Sequence, residues 1–319
     1  MAYSQGGIIA AADYNNFING SNQLNTVWST GTGNAGYGQT AISAVSQSGT
    51  VTAAQWATLI NTLNSTLTHQ SGSGSGISGS ITSGQTINYL STLATNINTA
   101  YTNRVNFATQ GSTTTGSVFS PNFTAVNQAA ADTFTFTRTI TFASADQARY
   151  FFNAGGQLNL VITSCANNDG TSRSGDLCTL LGTNLAGITA IRQGSNGGRT
   201  GSGGTLNTNN TGIGYYSLST SGQNIVSITS TTGGYTGDYA IVAIRSNGTQ
   251  GANSDKGTVV YLDFTIYSDT RTDGTPGGPG GATGGYFNDS VNITLNHRID
   301  IVYPESTNLT NSWGTVTIS

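Results

Sequence analysis

His69 and His297 are the only histidines in the chain, so a hydrolase built on a serine or cysteine nucleophile would need one of them as its base. No serine stands in a Gly-x-Ser-x-Gly elbow. His69 closes a segment of helical periodicity, where an imidazole commonly meets the last carbonyls, and His297 adjoins Arg298 at an expected strand junction; both read as capping or surface residues. Glycosidase chemistry would require paired carboxylates. Asp263 lies between Leu262 and Phe264, on the face opposite their side chains, while Asp269 and Asp273 flank a turn. The Asp-x-Asp-x-Asp-Gly pattern of a calcium loop is absent, so these aspartates read as turn formers, and no catalytic residue, metal or cofactor is expected.

Thr30 to Gly38 resembles a phosphate cradle but lacks the Lys-Ser/Thr of a P-loop and a preceding strand. Cys165 and Cys178 could close a loop as a disulfide, or stay reduced in a chain made in the cytosol; a tetrahedral zinc site would want four ligands, and no histidine is near them in sequence. Tyr215, Tyr216, Tyr235 and Tyr239 either stack on sugar rings or fill a sheet face, and core or interface is the commoner fate of such aromatics. Sequons such as those at Asn122 and Asn292 arise readily by chance in a chain this rich in Asn, Ser and Thr.

Only 7% of the residues are charged, with Lys256 the sole lysine, Glu305 the sole glutamate and a net charge of −3. An ordinary domain carries about 25%. Nucleic-acid binding, which draws its affinity from clustered Lys and Arg, is a poor fit. A neutral Ser, Thr, Asn, Gln and Gly surface hydrates without repulsion between like copies and suits dense packing of subunits. No apolar run reaches the roughly 18 residues of a spanning helix, so membrane insertion is not expected. The N-terminus lacks the charged start and apolar stretch of a secretory signal. The 44 glycines show no three-residue period and read as turns and loops.

The elements that would position these residues fall into two parts, helical over 1–125 and β-rich over 126–319. Thr52 to Gln55 fits a capping box ahead of a helix to about His69, with Trp56, Leu59, Ile60, Leu63 and Leu67 on one face. A Ser/Gly linker separates it from a second helix over 86–104, which carries Leu90, Leu93 and Ile97, and the two are expected to form an antiparallel hairpin. Trp56, Leu59, Leu63, Leu90, Leu93 and Ile97 are its assembly core. A shorter helix over 13–19, capped by Asp13, precedes them. From Asp132 the period changes to two, with Phe134, Phe136, Ile140 and Phe142 alternating with threonines. A short helix follows Ser144, another is expected within 180–191, and strands are expected near 158–162, 224–230, 238–245, 258–267, 291–295, 298–303 and 313–318. The fold class this implies is α+β: an N-terminal helical hairpin region followed by a mainly antiparallel β-sandwich with short helices.

Several segments carry a resemblance: 11–17 (Ala-Ala-Asp-Tyr-Asn-Asn-Phe), 25–28 (Asn-Thr-Val-Trp), 31–39, 55–61 (Gln-Trp-Ala-Thr-Leu-Ile-Asn), 70–72, 98–104 and, in the second half, 144–156 (Ser-Ala-Asp-Gln-Ala-Arg-Tyr-Phe-Phe-Asn-Ala-Gly-Gly). Together they resemble virion structural proteins of tailed bacteriophages of the marine cyanophage type. The resemblance implies a non-enzymatic particle component, made in the host cytoplasm and built into a symmetric homo-oligomer in the virion, with other copies of itself and other virion proteins as partners. It brings no catalytic or cofactor residues. A tail-, baseplate- or neck-associated fibre or appendage subunit, assembled through its N-terminal region into a cyclic oligomer such as a trimer, is the leading expectation. A capsid decoration or head-fibre protein is the alternative, as is a receptor-binding module whose loops 195–214 and 273–285 recognise a host surface glycan.

Overall fold

The longest helix begins where the sequence places it. The Thr52 hydroxyl accepts a hydrogen bond from the Gln55 N–H, the Gln55 side-chain oxygen accepts one from the Thr52 N–H, and the helix runs over Ala53–Ser71 to a left-handed Gly72. The structure is a computed structural model and describes residues 10–125, 131–231, 233–250, 257–269 and 290–319. Helices α1 (Ala11–Ile18), α2 (Leu24–Trp28), α3 (Ala53–Ser71) and α4 (Leu90–Thr102) share one buried apolar cluster, in which Trp56, Leu59, Leu63, Leu90, Leu93 and Ile97 all lie. Asp13 is the third residue of α1 rather than its cap; its carboxylate accepts from the Ala10 N–H, the usual use of an acid in a first turn.

Long irregular stretches between these helices are held by amide side chains acting as short strands. Asn25 donates to the Ile42 carbonyl at 2.9 Å and accepts from its N–H at 2.8 Å, and Asn15 pairs with Val45 the same way. Both backbone groups of each partner are satisfied without secondary structure.

The remainder is built on two antiparallel sheets. In the first, β1 (Gln110–Thr114), β10 (Val291–Pro304), β4 (Gln157–Asn167) and β5 (Gly187–Ile191) are neighbours in that order, and β2 (Asn122–Ala125) pairs with the beginning of β10. The second runs β11 (Thr317–Ile318), β3 (Asp132–Thr141), β9 (Val259–Ser268), β8 (Tyr239–Ser246), β7 (Gln223–Thr229) and β6 (Thr205–Asn209). A single cluster of buried side chains takes Leu158, Leu160, Ile299 and Ile301 from the first sheet and Ile140, Val242, Leu262 and Phe264 from the second. The chain is therefore α+β.

Several boundaries differ from the sequence reading. β1 and β2, inside the part read as helical, hydrogen-bond with β10 near the far end of the chain. The helix expected within 180–191 begins earlier: α6 (Ser172–Thr179) continues into a π-helical turn, Leu180–Leu185, and 187–191 is strand β5. The strands expected at 291–295 and 298–303 are one strand, and the paired ladder near the C-terminus shrinks to Thr317–Ile318.

Between β4 and β10 the register slips at Asn296/His297, so that Thr163 has no opposite residue in the ladder and its hydroxyl donates to the Asn296 carbonyl. Leu158, Leu160 and Ile162 face the core before this bulge; after it the inward parity changes, so that Cys165 also packs against the core. There it meets Cys178 of α6, and the two are joined by a disulfide with Cα atoms 5.1 Å apart.

Candidate functional site

The two histidines are neither capping nor surface groups. His69 is 1% exposed, and its Nδ1 lies 2.9 Å from the Glu305 carboxylate just beyond β10. Burial holds the imidazole below its ordinary pKa despite that acid. Burial pushes Glu305 up, but the Asn308 and Thr307 N–H groups and His69 outweigh it and keep the carboxylate ionised. The consistent assignment is a neutral imidazole donating from Nδ1, which leaves Nε2 buried without a partner. Tyr37 meets the ring edge-on at 5.1 Å and donates to the Arg104 carbonyl.

His297 lies between the sheets. Its Nε2 accepts from Arg138 Nε of β3 at 2.7 Å, its Nδ1 faces the Leu295 carbonyl, and Phe119 and Phe136 lie against the ring. Burial first, and the Arg138 charge in addition, bring its pKa down to about 4, against the Leu295 hydrogen bond. A base needs a free nitrogen facing a proton to remove. Nε2 is occupied by a guanidinium, and that guanidinium is stacked 4.2 Å above Phe119.

The carboxylates are likewise engaged. Asp263 is bound by Arg245 through two nitrogens, at 2.6 and 3.2 Å, and accepts from the Thr137 hydroxyl. The Asp269 N–H donates to Asp238 at 2.6 Å. Asp273 and the loop 273–285 lie outside the described residues. Asp238, which the sequence reading passed over, has no exposed surface and an unpartnered Oδ2. Burial raises its pKa to about 7, with Asp176 and Asp269 adding to the effect and the Asp269 N–H and Arg173 opposing it. Among the described residues, no group of three or more His, Cys, Asp or Glu is placed to hold a metal ion.

The glycine-rich loop 30–38 presents carbonyls, not a nest of N–H groups, to its neighbours. Arg149 donates to the Thr30 and Ala35 carbonyls, and Asn153 to those of Ala35 and Gly36, both from α5 (Ala145–Asn153). The Tyr216 hydroxyl donates to the Gly33 carbonyl. Gly38 has φ +70°, and a Cβ there would run into the Tyr150 ring. The two segments of the family resemblance at 31–39 and 144–156 thus bind one another. Tyr215 and Tyr235 belong to the core, and Tyr239 stacks on Tyr267 at 4.6 Å on the outer face of the second sheet.

Two cavities remain. One, about 740 Å³, lies between the start of α3 and residues 81–87; Trp56, Ile81 and Ile87 line it with uncharged neighbours. The other, about 560 Å³, is where the end of α3 and residues 105–107 meet α5 and the turn 192–195. It includes Gln70, Phe107 and Ser195, the first residue of one loop singled out from the sequence, together with Arg192. Among the described residues no helix is long and apolar enough to cross a membrane. Comparison with protein-family models, curated proteins and solved structures finds no match to this chain.

Proposed function

We propose that this chain is a non-enzymatic structural subunit of a tailed-phage particle, most consistent with a tail-, baseplate- or neck-associated appendage. The observation that carries this is the use made of the polar residues. His297 and Asp263 are each engaged by an arginine, and His69 is 1% exposed with its free Nε2 enclosed by the protein, so none of the three faces a position from which it could take a substrate proton. Trp56, Leu59, Leu63, Leu90, Leu93 and Ile97 form the chain's own interior, so sister subunits meet the neutral Thr, Ser and Asn surface around it. That surface has few charges to repel a second copy or to be desolvated by it. In this reading α3 and α4 are an antiparallel hairpin, and the two sheets are the layers of a sandwich cemented by Phe136, His297 and Phe264.

Immunogold labelling of purified particles with antibodies raised against the whole chain tests the proposal. Label at the tail, neck or baseplate is the expected result. Label spread over the head makes the chain a capsid decoration protein, and unlabelled particles reject a virion role.

A further inference from the structure

We infer that the 560 Å³ cavity is a binding site for a carboxylate-bearing sugar, such as a uronic acid residue of an extracellular polysaccharide. The inference goes beyond the structural role, since it concerns the isolated chain wherever that chain sits in a particle.

Arg192 is the starting point. Every other arginine among the described residues has its guanidinium hydrogen-bonded to a carboxylate, a carbonyl or a side chain, from Arg104 on Asn34 to Arg298 on Asp300. Arg192 is exposed, has neither an ion pair nor a side-chain hydrogen bond, and lines the cavity. In a chain with so few charges, an unneutralised guanidinium at a concave site is a specific feature. A guanidinium takes a carboxylate through two parallel hydrogen bonds.

Its position is fixed. The Arg192 backbone N–H donates to the Ser195 carbonyl, while the backbone N–H groups of Tyr215 and Tyr216 donate to the carbonyls of Arg192 and Gln193. Gly214 passes so close that a Cβ would strike the Ser195 nitrogen. The turn is thus clamped at both ends, and a site built on it loses little freedom on binding.

The rest of the lining suits a sugar ring. Phe107 lies 5.9 Å from the Arg192 guanidinium, and Gly155, at φ +91°, leaves room for its ring where a Cβ would be 2.6 Å away. Asn106, Gln193 and Ser195 supply amide and hydroxyl groups that can both donate and accept, matching a hydroxyl-dense ligand. Gln70 is 4% exposed; its amide nitrogen is held by Tyr37 and the Ala100 carbonyl, whereas its Oε1 is buried without a partner. A nucleotide fits less well, because one cation does not balance a polyphosphate. The volume falls within the range of about 300 to 1,000 Å³ usual for small-ligand sites.

Calorimetric titration of the full chain with oligogalacturonate, with its methyl-esterified neutral counterpart and with a sulfated galactan tests the assignment. We expect binding of the uronate oligomer, at least tenfold weaker for the ester. Arg192→Gln, at an exposed position, should remove that preference, and Phe107→Ala should weaken both sugars. Circular dichroism melts identify any variant that fails to fold. Absence of uronate binding, equal binding by Arg192→Gln, or binding of the sulfated polymer alone overturns the assignment.

Discussion

Asp238 and His297 are buried titratable groups whose effects on stability oppose each other. The folded pKa of Asp238, about 7, lies above its ordinary value of 3.8, so between these limits the folded state holds a proton that the unfolded chain has released. Its contribution therefore declines as pH rises through that window, by on the order of 4 kcal/mol, and no further decline follows above about pH 7. His297 is lowered from 6.5 to about 4, so folding favours its neutral form and that contribution is lost on acidification through the same window. The two slopes offset one another in the natural chain. Asp238→Asn removes one of them, because an amide keeps the acceptor for the Asp269 N–H without a buried charge. Urea unfolding of Asp238→Asn should show stability rising with pH from 4 to 6.5, and at pH 8 the variant should exceed the natural chain by a few kcal/mol, on the order of 2 to 4. A variant less stable by the same amount at every pH would mean that Asp238 carries no raised pKa. Neither group advertised this in the sequence: Asp238 reads only as the first residue of an expected strand, and His297 beside Arg298 looks like a surface pair, whereas its partner is Arg138, 159 residues away.

At the level of elements, local signals were legible and tertiary ones were not. The capping box at Thr52, the apolar face of α3 and the alternation in β3 and β9 are written in spacing, and they formed where the sequence put them. β1, with the sequence Gln-Gly-Ser-Thr-Thr, has no apolar alternation at all; it is a strand because β10 offers it an edge. The disulfide was legible only as an option, since the bulge that brings Cys165 to the inner face depends on register with β10. That bond ties α6 to β4 across 13 residues of sequence. Replacing both cysteines by serine should cost about 3 kcal/mol by the loop-closure relation, read as a lower urea midpoint at unchanged slope. Reductant should move the natural chain to the same midpoint and leave the double variant where it is; if reductant shifts neither, the bridge contributes nothing to stability.

For the whole molecule, composition pointed to two parts, and the structure binds the first to the second through contacts that no local pattern announces. β1 and β2 lie on β10, His69 at the end of α3 reaches Glu305, Gln39 exchanges hydrogen bonds with Thr310, and Arg149 and Asn153 grip the loop 30–38. A polypeptide of residues 126–319 would keep β10 and its partner β4 but lose β1 and β2, the two strands paired along the other edge of β10, exposing that edge next to Ile293, Ile301 and Val302. Unpaired apolar edges recruit other chains. It would also lose the loop whose Thr30 and Ala35 carbonyls accept from the buried Arg149, uncovering that side chain and leaving Nη1 without those two acceptors while the Asp146 ion pair stays. The expected outcome is that residues 126–319 aggregate or unfold without a sharp transition, whereas the full chain melts once, as a unit. Differential scanning calorimetry of both decides it: a soluble fragment with its own sharp transition would make the second part an autonomous domain and reduce these cross-links to docking contacts.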